Sequence, residues 1–208
     1  MKKTIAIFIS VLALAVIFAT WTARFYNKML VEQENTSRAW SEVDNATQRR
    51  SDLIPNLVQT VQAAGIREAK TLTAVAEARA NASAVKIDAS NISDAEMQKF
   101  LKAQKGVTSA LSRLIAMKES YPQLKTSENF LRLQKELEAT ENRIAAARYV
   151  YNKAAQDYNT LIRKIPYNFA AMVVGFKAKP YFKADEGAQF VTKVNFATGT
   201  EEKNDYDE

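Results

Sequence analysis

Residues 130–161 read FLRLQKELEATENRIAAARYVYNKAAQDYNTL, and their spacing decides the fold class. Phe130, Leu133, Leu137, Thr140, Ile144, Ala147, Tyr151, Ala154, Tyr158 and Leu161 follow one another in alternating steps of three and four. That period puts them on one stripe of an α-helix, because 3.6 residues complete a turn. Positions off the stripe carry Arg132, Lys135, Glu136, Arg143 and Lys153. A rod of this length rises about 48 Å. So narrow an apolar stripe needs partner helices, from the same chain or from a neighbour.

Upstream, Phe100, Ala103, Val107, Ala110, Leu114, Met117 and Tyr121 repeat the spacing. Ser93 with Glu96 is a capping box that opens this helix, and Tyr121-Pro122 is expected to close it. Gly106 inside it costs about 1 kcal/mol relative to Ala. Residues 86–96, KIDASNISDAE, read as a connection, and the Ala-rich stretch 66–84 as a helix with a weak apolar face. Before that, Ala39, Val43, Ala46, Leu53, Leu57 and Ala64 form a seam interrupted at Arg50 and Thr60. The register persists across Pro55, which predicts a kink rather than a termination.

Composition agrees with long helices. The 208 residues include only five Gly and four Pro. There is no Cys and no His, so disulfides, zinc–sulfur sites and Ser-His-Asp or Cys-His triads are impossible. No catalytic, cofactor-binding or metal-binding residue is assigned: catalytic none, cofactor none, metal none.

The stretch from Thr4 to Ala23, TIAIFISVLALAVIFATWTA, carries no charge. As a helix it rises about 30 Å, the thickness of the bilayer's hydrocarbon core. Trp21, Phe25 and Tyr26 fall at its far end, where aromatic rings favour the headgroup zone. A cleaved signal peptide is the rival reading, but a cut after Ala23 or Ala19 puts Trp21 or Ile17 at the −3 position, where a small residue is wanted. Lys2 and Lys3 nearly balance Arg24, Lys28 and Arg38; the reading adopted puts the N-terminus in the cytoplasm and the folded domain outside.

At the other end, residues 163–183 hold five basic residues and no acid, interleaved with Tyr167, Phe169, Phe176, Tyr181 and Phe182. This segment docks on the bundle's end or lies on an anionic membrane; nucleic acid is disfavoured beside a membrane anchor. From Asp185 to Glu208 seven acids face two lysines, which reads as an acidic flexible tail. With the total at +6 and this tail at −5, the preceding residues carry +11.

Three constellations have competing readings. Arg50 on its seam either snorkels to water or forms a buried pair with Glu141 or Glu138 that fixes register. Asp44, Arg49 and Asp52 read as exposed intrahelical pairs, with an acid site from Asp44 and Asp52 as the sharper option. Tyr149, Tyr151 and Tyr158 with Asn152 and Asn159 repeat a YN element at heptad spacing. It reads as core packing with amides reaching a partner helix.

Residues 39–61, AWSEVDNATQRRSDLIPNLVQTV, resemble the signature of the LemA family. Residues 119–166, ESYPQLKTSENFLRLQKELEATENRIAAARYVYNKAAQDYNTLIRKIP, are similar to the rest of its pattern, as are Tyr26-Asn27, Phe176 and Pro180-Tyr181-Phe182. The resemblance spans roughly Tyr26 to Phe182. It implies an N-terminal transmembrane helix and a helical bundle, and one branch of that family contributes to magnetosome membrane biogenesis. It brings no catalytic or binding residues.

The expected fold is therefore all-α, an N-terminal transmembrane helix followed by a long antiparallel three- or four-helix bundle. Residues 1–28 form the cytoplasmic stub and span, 29–166 the bundle, 167–184 the basic-aromatic segment and 185–208 the tail. The expected function is a non-enzymatic, single-pass scaffold or oligomerisation module of the bacterial cell (inner) membrane. The alternative is a regulatory adaptor for a membrane protease or signalling protein. Its partners would be the lipid bilayer and other helices, by self-association or in an envelope protein, with no nucleic acid and no small-molecule ligand.

Overall fold

A computed structural model describes residues 2–183; within its first helix, the side chains at 2–4, 6, 7, 10 and 15 are outside the description, as is the expected acidic tail. Every regular element among the described residues is helical. The chain runs α1 (Lys2–Ala63), α2 (Ala69–Ala84), α3 (Asp94–Ala116), α4 (Pro122–Lys125), α5 (Glu128–Arg163) and α6 (Tyr167–Val174). Single 3-10 turns lie at Ala89–Asn91 and Met117–Glu119.

Helices α1, α2, α3 and α5 form an up-down-up-down bundle, with α1 packed along α5 and α2 along α3. Short connections enforce antiparallel neighbours. Gly65, at φ +79°, ends α1 by letting Ile66 N–H reach back to Val61 C=O at 3.4 Å. This delays α2 to Ala69, three residues later than the sequence period predicts, and Ile66 is buried in the core instead.

Helix α1 continues through Pro55, as the unbroken register predicts. Proline has no N–H for the Ser51 carbonyl one turn back. Arg79 of α2 supplies the missing donor, its Nε reaching Ser51 C=O at 3.1 Å. The bond left open by the proline becomes a tie between two helices.

The Ser93–Glu96 capping box is present, with Ser93 N–H donating to Glu96 Oε2 at 2.9 Å. Helix α3 stops at Ala116, however, five residues before Tyr121. Pro122 opens the short α4 instead of closing α3, a first-turn position where its absent N–H is not missed.

The buried stripes differ in detail from the expected seams. On α1 the interior line is Thr36, Trp40, Val43, Thr47, Arg50, Ile54, Leu57 and Val61, flanked by Ala39 and Leu53. Ala46, Thr60 and Ala64 are only half-buried. On α3, Gln104 rather than Ala103 points inward. On α5 the stripe keeps its alternation to Tyr151, then continues through Ala155, Tyr158 and Ile162 in place of Ala154 and Leu161. Two successive steps of four form a stutter, which lets a straight helix stay in phase with its neighbour.

The core is three clusters stacked along the long axis. A distal one gathers Leu57, Leu114, Phe130 and Leu137. A middle one surrounds Trp40, and a proximal one joins Met29, Tyr158, Ile162 and Ala171. Among the described residues, which leave out several side chains of the run 4–23, no helix is long and apolar enough to cross a membrane, so the structure does not show the expected transmembrane helix.

Candidate functional site

Between the distal and middle clusters lies a polar layer centred on Arg50. Its side chain is 2% exposed, and it donates to Glu141 of α5 and to Gln104 and Thr108 of α3. Of the two sequence readings, the buried pair with Glu141 holds and the snorkelling arginine does not. Glu141 sits at the bundle's edge with its side chain 45% exposed. The charge is thus compensated from a half-wet position, while Gln104, a buried amide, holds the guanidinium from the dry side. A cleft of about 180 Å³ opens over this layer, lined by Asp44, Thr47, Arg50, Ser51, Lys86 and Gln104 among others. It contains no nucleophile paired with a base.

Asp44, Arg49 and Asp52 are all exposed. Asp52 accepts from Gln48 Nε2 at 2.7 Å within α1, but Arg49 pairs across to Glu136 of α5 at 3.8 Å, correcting the purely intrahelical reading. Asp44 and Asp52 stand two turns apart on one helix, about 12 Å, too far to share a proton or a water. Among the described residues no group of three or more Asp or Glu could hold a metal ion.

The YN repeat packs in the core as expected at two of its tyrosines, but its asparagines have a different partner. Tyr151 and Tyr158 are core residues, whereas Tyr149 is 72% exposed. Asn152 and Asn159 do not reach a partner helix. They clasp the backbone of residues 177–183, which runs as a strap along α5. Asn159 Nδ2 donates to Lys179 C=O at 2.8 Å and its Oδ1 accepts from Lys179 N–H at 2.7 Å. Asn152 does the same for Phe182, both bonds at 2.9 Å. Each amide satisfies a donor and an acceptor of a backbone that belongs to no helix or sheet.

The strap's side chains complete the middle cluster. Phe182 stacks on Trp40 at 5.8 Å between centroids and meets Tyr151 edge-on at 5.3 Å, with the Arg148 guanidinium 5.2 Å from its ring centroid. Lys179 is buried; its Nζ donates to Ser90 C=O and lies 5.8 Å from the Tyr158 ring. Burial holds its pKa below the usual lysine range, partly offset by the nearby Asp88 carboxylate. The phenols of Tyr151 and Tyr158 are pushed up by burial, Tyr158 to about 12. Lys179, Gln104 and Thr108 were not singled out in the sequence. Only the heptad spacing of the two YN pairs signalled that something lies along α5.

At the proximal end, α6 folds back against α1. Phe25 meets Tyr167 edge-on at 4.7 Å, Tyr26 lies 5.9 Å from Phe176, and Ala171 packs in the cluster of Met29. Of the readings for residues 163–183, docking on the bundle therefore holds for the strap and for one side of α6.

These features define an α-helical bundle with buried polar ties and no assembled catalytic centre among the described residues. The chain belongs to the LemA family, whose sequence profile matches residues 39–196. The match begins at Ala39 rather than Tyr26 and reaches beyond Phe182. Similar proteins are magnetosome proteins MamQ 2 and MamQ 1 of Paramagnetospirillum magneticum. Each is 28% identical over 194 residues, covering 84% of this chain and 70% of the relative. Magnetosome protein MamQ of Magnetospirillum gryphiswaldense is 37% identical over 83 residues, 40% of this chain and 30% of its own.

Proposed function

We propose that this chain is a non-enzymatic, single-pass membrane protein whose bundle is a rigid scaffold in the bacterial cell envelope. One observation carries the reading: α1 is unbroken from Lys2 to Ala63. Its first part contains the uncharged run Thr4–Ala23, and described side chains there such as Phe8, Leu14 and Phe18 stand exposed. Its later part is the bundle's own core strut. An apolar helix surface of that length in water is unfavourable, and a bilayer removes it. Because no joint separates span from bundle, whatever binds the bundle is held at a fixed pose above the membrane, on the outer side in the adopted orientation.

The scaffold holds further copies of itself. The magnetosome names of its relatives fit a role tied to a membrane-associated assembly. The mass of the detergent-extracted complex tests the reading. A discrete homo-oligomer supports the scaffold; a monomer that copurifies with one stoichiometric partner replaces it with the adaptor reading.

A further inference from the structure

We infer that α6 is a second membrane contact, an interfacial helix that inserts its outward face into an anionic lipid surface beside α1. The inference rests on the membrane-anchor reading above. Helix α6, YNFAAMVV, is apolar at six of its eight positions. Ala171 is the residue it buries against the bundle. Phe169, Met172 and Val173 are 64%, 80% and 88% exposed, and Ile165, just before the helix, is 79% exposed. Positions 169, 172 and 173 share one side of the helix, so this side is a continuous apolar surface with no polar residue in it. Elsewhere on the bundle, large exposed apolar side chains among the described residues fall singly or in adjacent pairs, at Leu30 and Val31, Leu131, Tyr149 and Val150, and Tyr181. Scattered ones need no explanation, whereas a contiguous patch marks a contact.

Position and charge identify the occupant. The patch is held at the level of Phe25, Tyr26 and Met29, immediately past the apolar run of α1. Trp21, Phe25 and Tyr167 form a chain of edge-on rings, at 4.3 and 4.7 Å, that continues from α1 into α6. Aromatic rings so placed belong at the headgroup level. In sequence, Arg163 and Lys164 precede α6 and Lys177 follows it, Arg24 and Lys28 flank Phe25 and Tyr26 on α1, and residues 163–183 contain no acid. Apolar side chains flanked by lysine and arginine are the signature of a helix lying in an anionic interface. Gly175, at φ +88°, ends the helix and turns the chain away into the strap.

The chain has no cysteine, so single probes are easily placed. Full-length variants Met172→Cys, Val173→Cys, Tyr149→Cys and Phe18→Cys, labelled with a small fluorophore, are reconstituted in phosphatidylcholine vesicles with and without phosphatidylglycerol. Quenching by aqueous iodide and by bromine on the lipid chains is then measured. The expected result is that labels at 172 and 173 are quenched by the lipid, and about tenfold less by iodide than the label at 149. Lys164→Gln and Lys177→Gln should each lower the inserted fraction about fivefold in anionic vesicles. If the label at 18 is lipid-quenched while those at 172 and 173 behave like 149, the inference falls and the anchor stands. If the label at 18 also follows iodide, the anchor reading itself falls. Labels at 172 and 173 shielded from both quenchers mean that a second copy or another protein covers α6, which also overturns the inference.

Discussion

Removing Glu141 should cost more than removing the arginine it neutralises. Arg50 is 2% exposed, so Glu141→Ala leaves a buried cation held only by the neutral Gln104 and Thr108. Breaking a fully buried ion pair from one side costs about 3–5 kcal/mol; with Glu141 half in water the cost here is about 2–4. Arg50→Met keeps the aliphatic stem and removes the charge. Glu141 then turns to solvent, and the main loss is the bond to the buried Gln104 amide, about 1–2 kcal/mol. The double variant should sit near Arg50→Met alone, since no charge remains to neutralise, giving a coupling of about 2 kcal/mol or more. Urea unfolding of the full chain in detergent measures all three, with Trp21→Phe leaving the buried Trp40 as the sole indole reporter. Additive losses, or a Glu141→Ala cost under about 0.5 kcal/mol, would show that water rather than Glu141 compensates Arg50 and refute the reasoning.

Asn159→Ala removes both bonds to Lys179 and leaves a buried N–H unpaired, at about 1–3 kcal/mol; hydrogen exchange should show lost protection at Lys179 and Phe182 with α5 unchanged. Gly106→Ala should stabilise by about 0.5–1 kcal/mol, because Gly106 lies in α3 with open space where its Cβ would stand. Tyr151→Phe should be neutral or stabilise by about 1 kcal/mol in the same urea assay, since the buried hydroxyl has no hydrogen-bond partner. Burial raises the pKa of Tyr158 from 10.0 to about 12, so the stability that its neutral phenol contributes is whole below pH 10 and is lost as pH rises toward 12. In an alkaline absorbance titration the phenolates of Tyr158 and Tyr151 should therefore form late, together with unfolding, and Tyr158→Phe should lower the amplitude of that late step without removing it.

The helices were legible because their periods are long and their breakers few, but the sequence could not choose between adjacent apolar residues. Ala154 and Ala155 are identical, and Leu161 and Ile162 nearly so; a stripe can follow either pair until a partner helix sets its phase. The same ambiguity hid Trp40 behind Ala39 and Gln104 behind Ala103, since a seam drawn on apolarity skips a buried amide. Arg50 was visible for the opposite reason, as a charge that no shift of the seam removes. The strap has no period at all. Its burial comes from Trp40, Tyr151 and the two asparagines, all distant in sequence, so Lys179 and Phe182 looked like one more pair in a basic-aromatic run.

The heptad spacing of the two asparagines is also a matter of length. Seven residues of α5 rise about 10.5 Å, and three residues of extended chain cover about 10 Å. Asn159 and Asn152 therefore meet Lys179 and Phe182, seven apart on one element and three apart on the other. The chain can reach this register only because α5, with 36 residues, is about as long as the part of α1 it covers, so that α6 emerges at the level of Met29. From there the strap has one direction in which its backbone can be satisfied, back along α5 toward Trp40. Phe182 then packs on Trp40, which belongs to the same unbroken helix as the apolar run. The last described segment and the first are thus locked to one strut, with no break in the helix between the apolar run and the bundle.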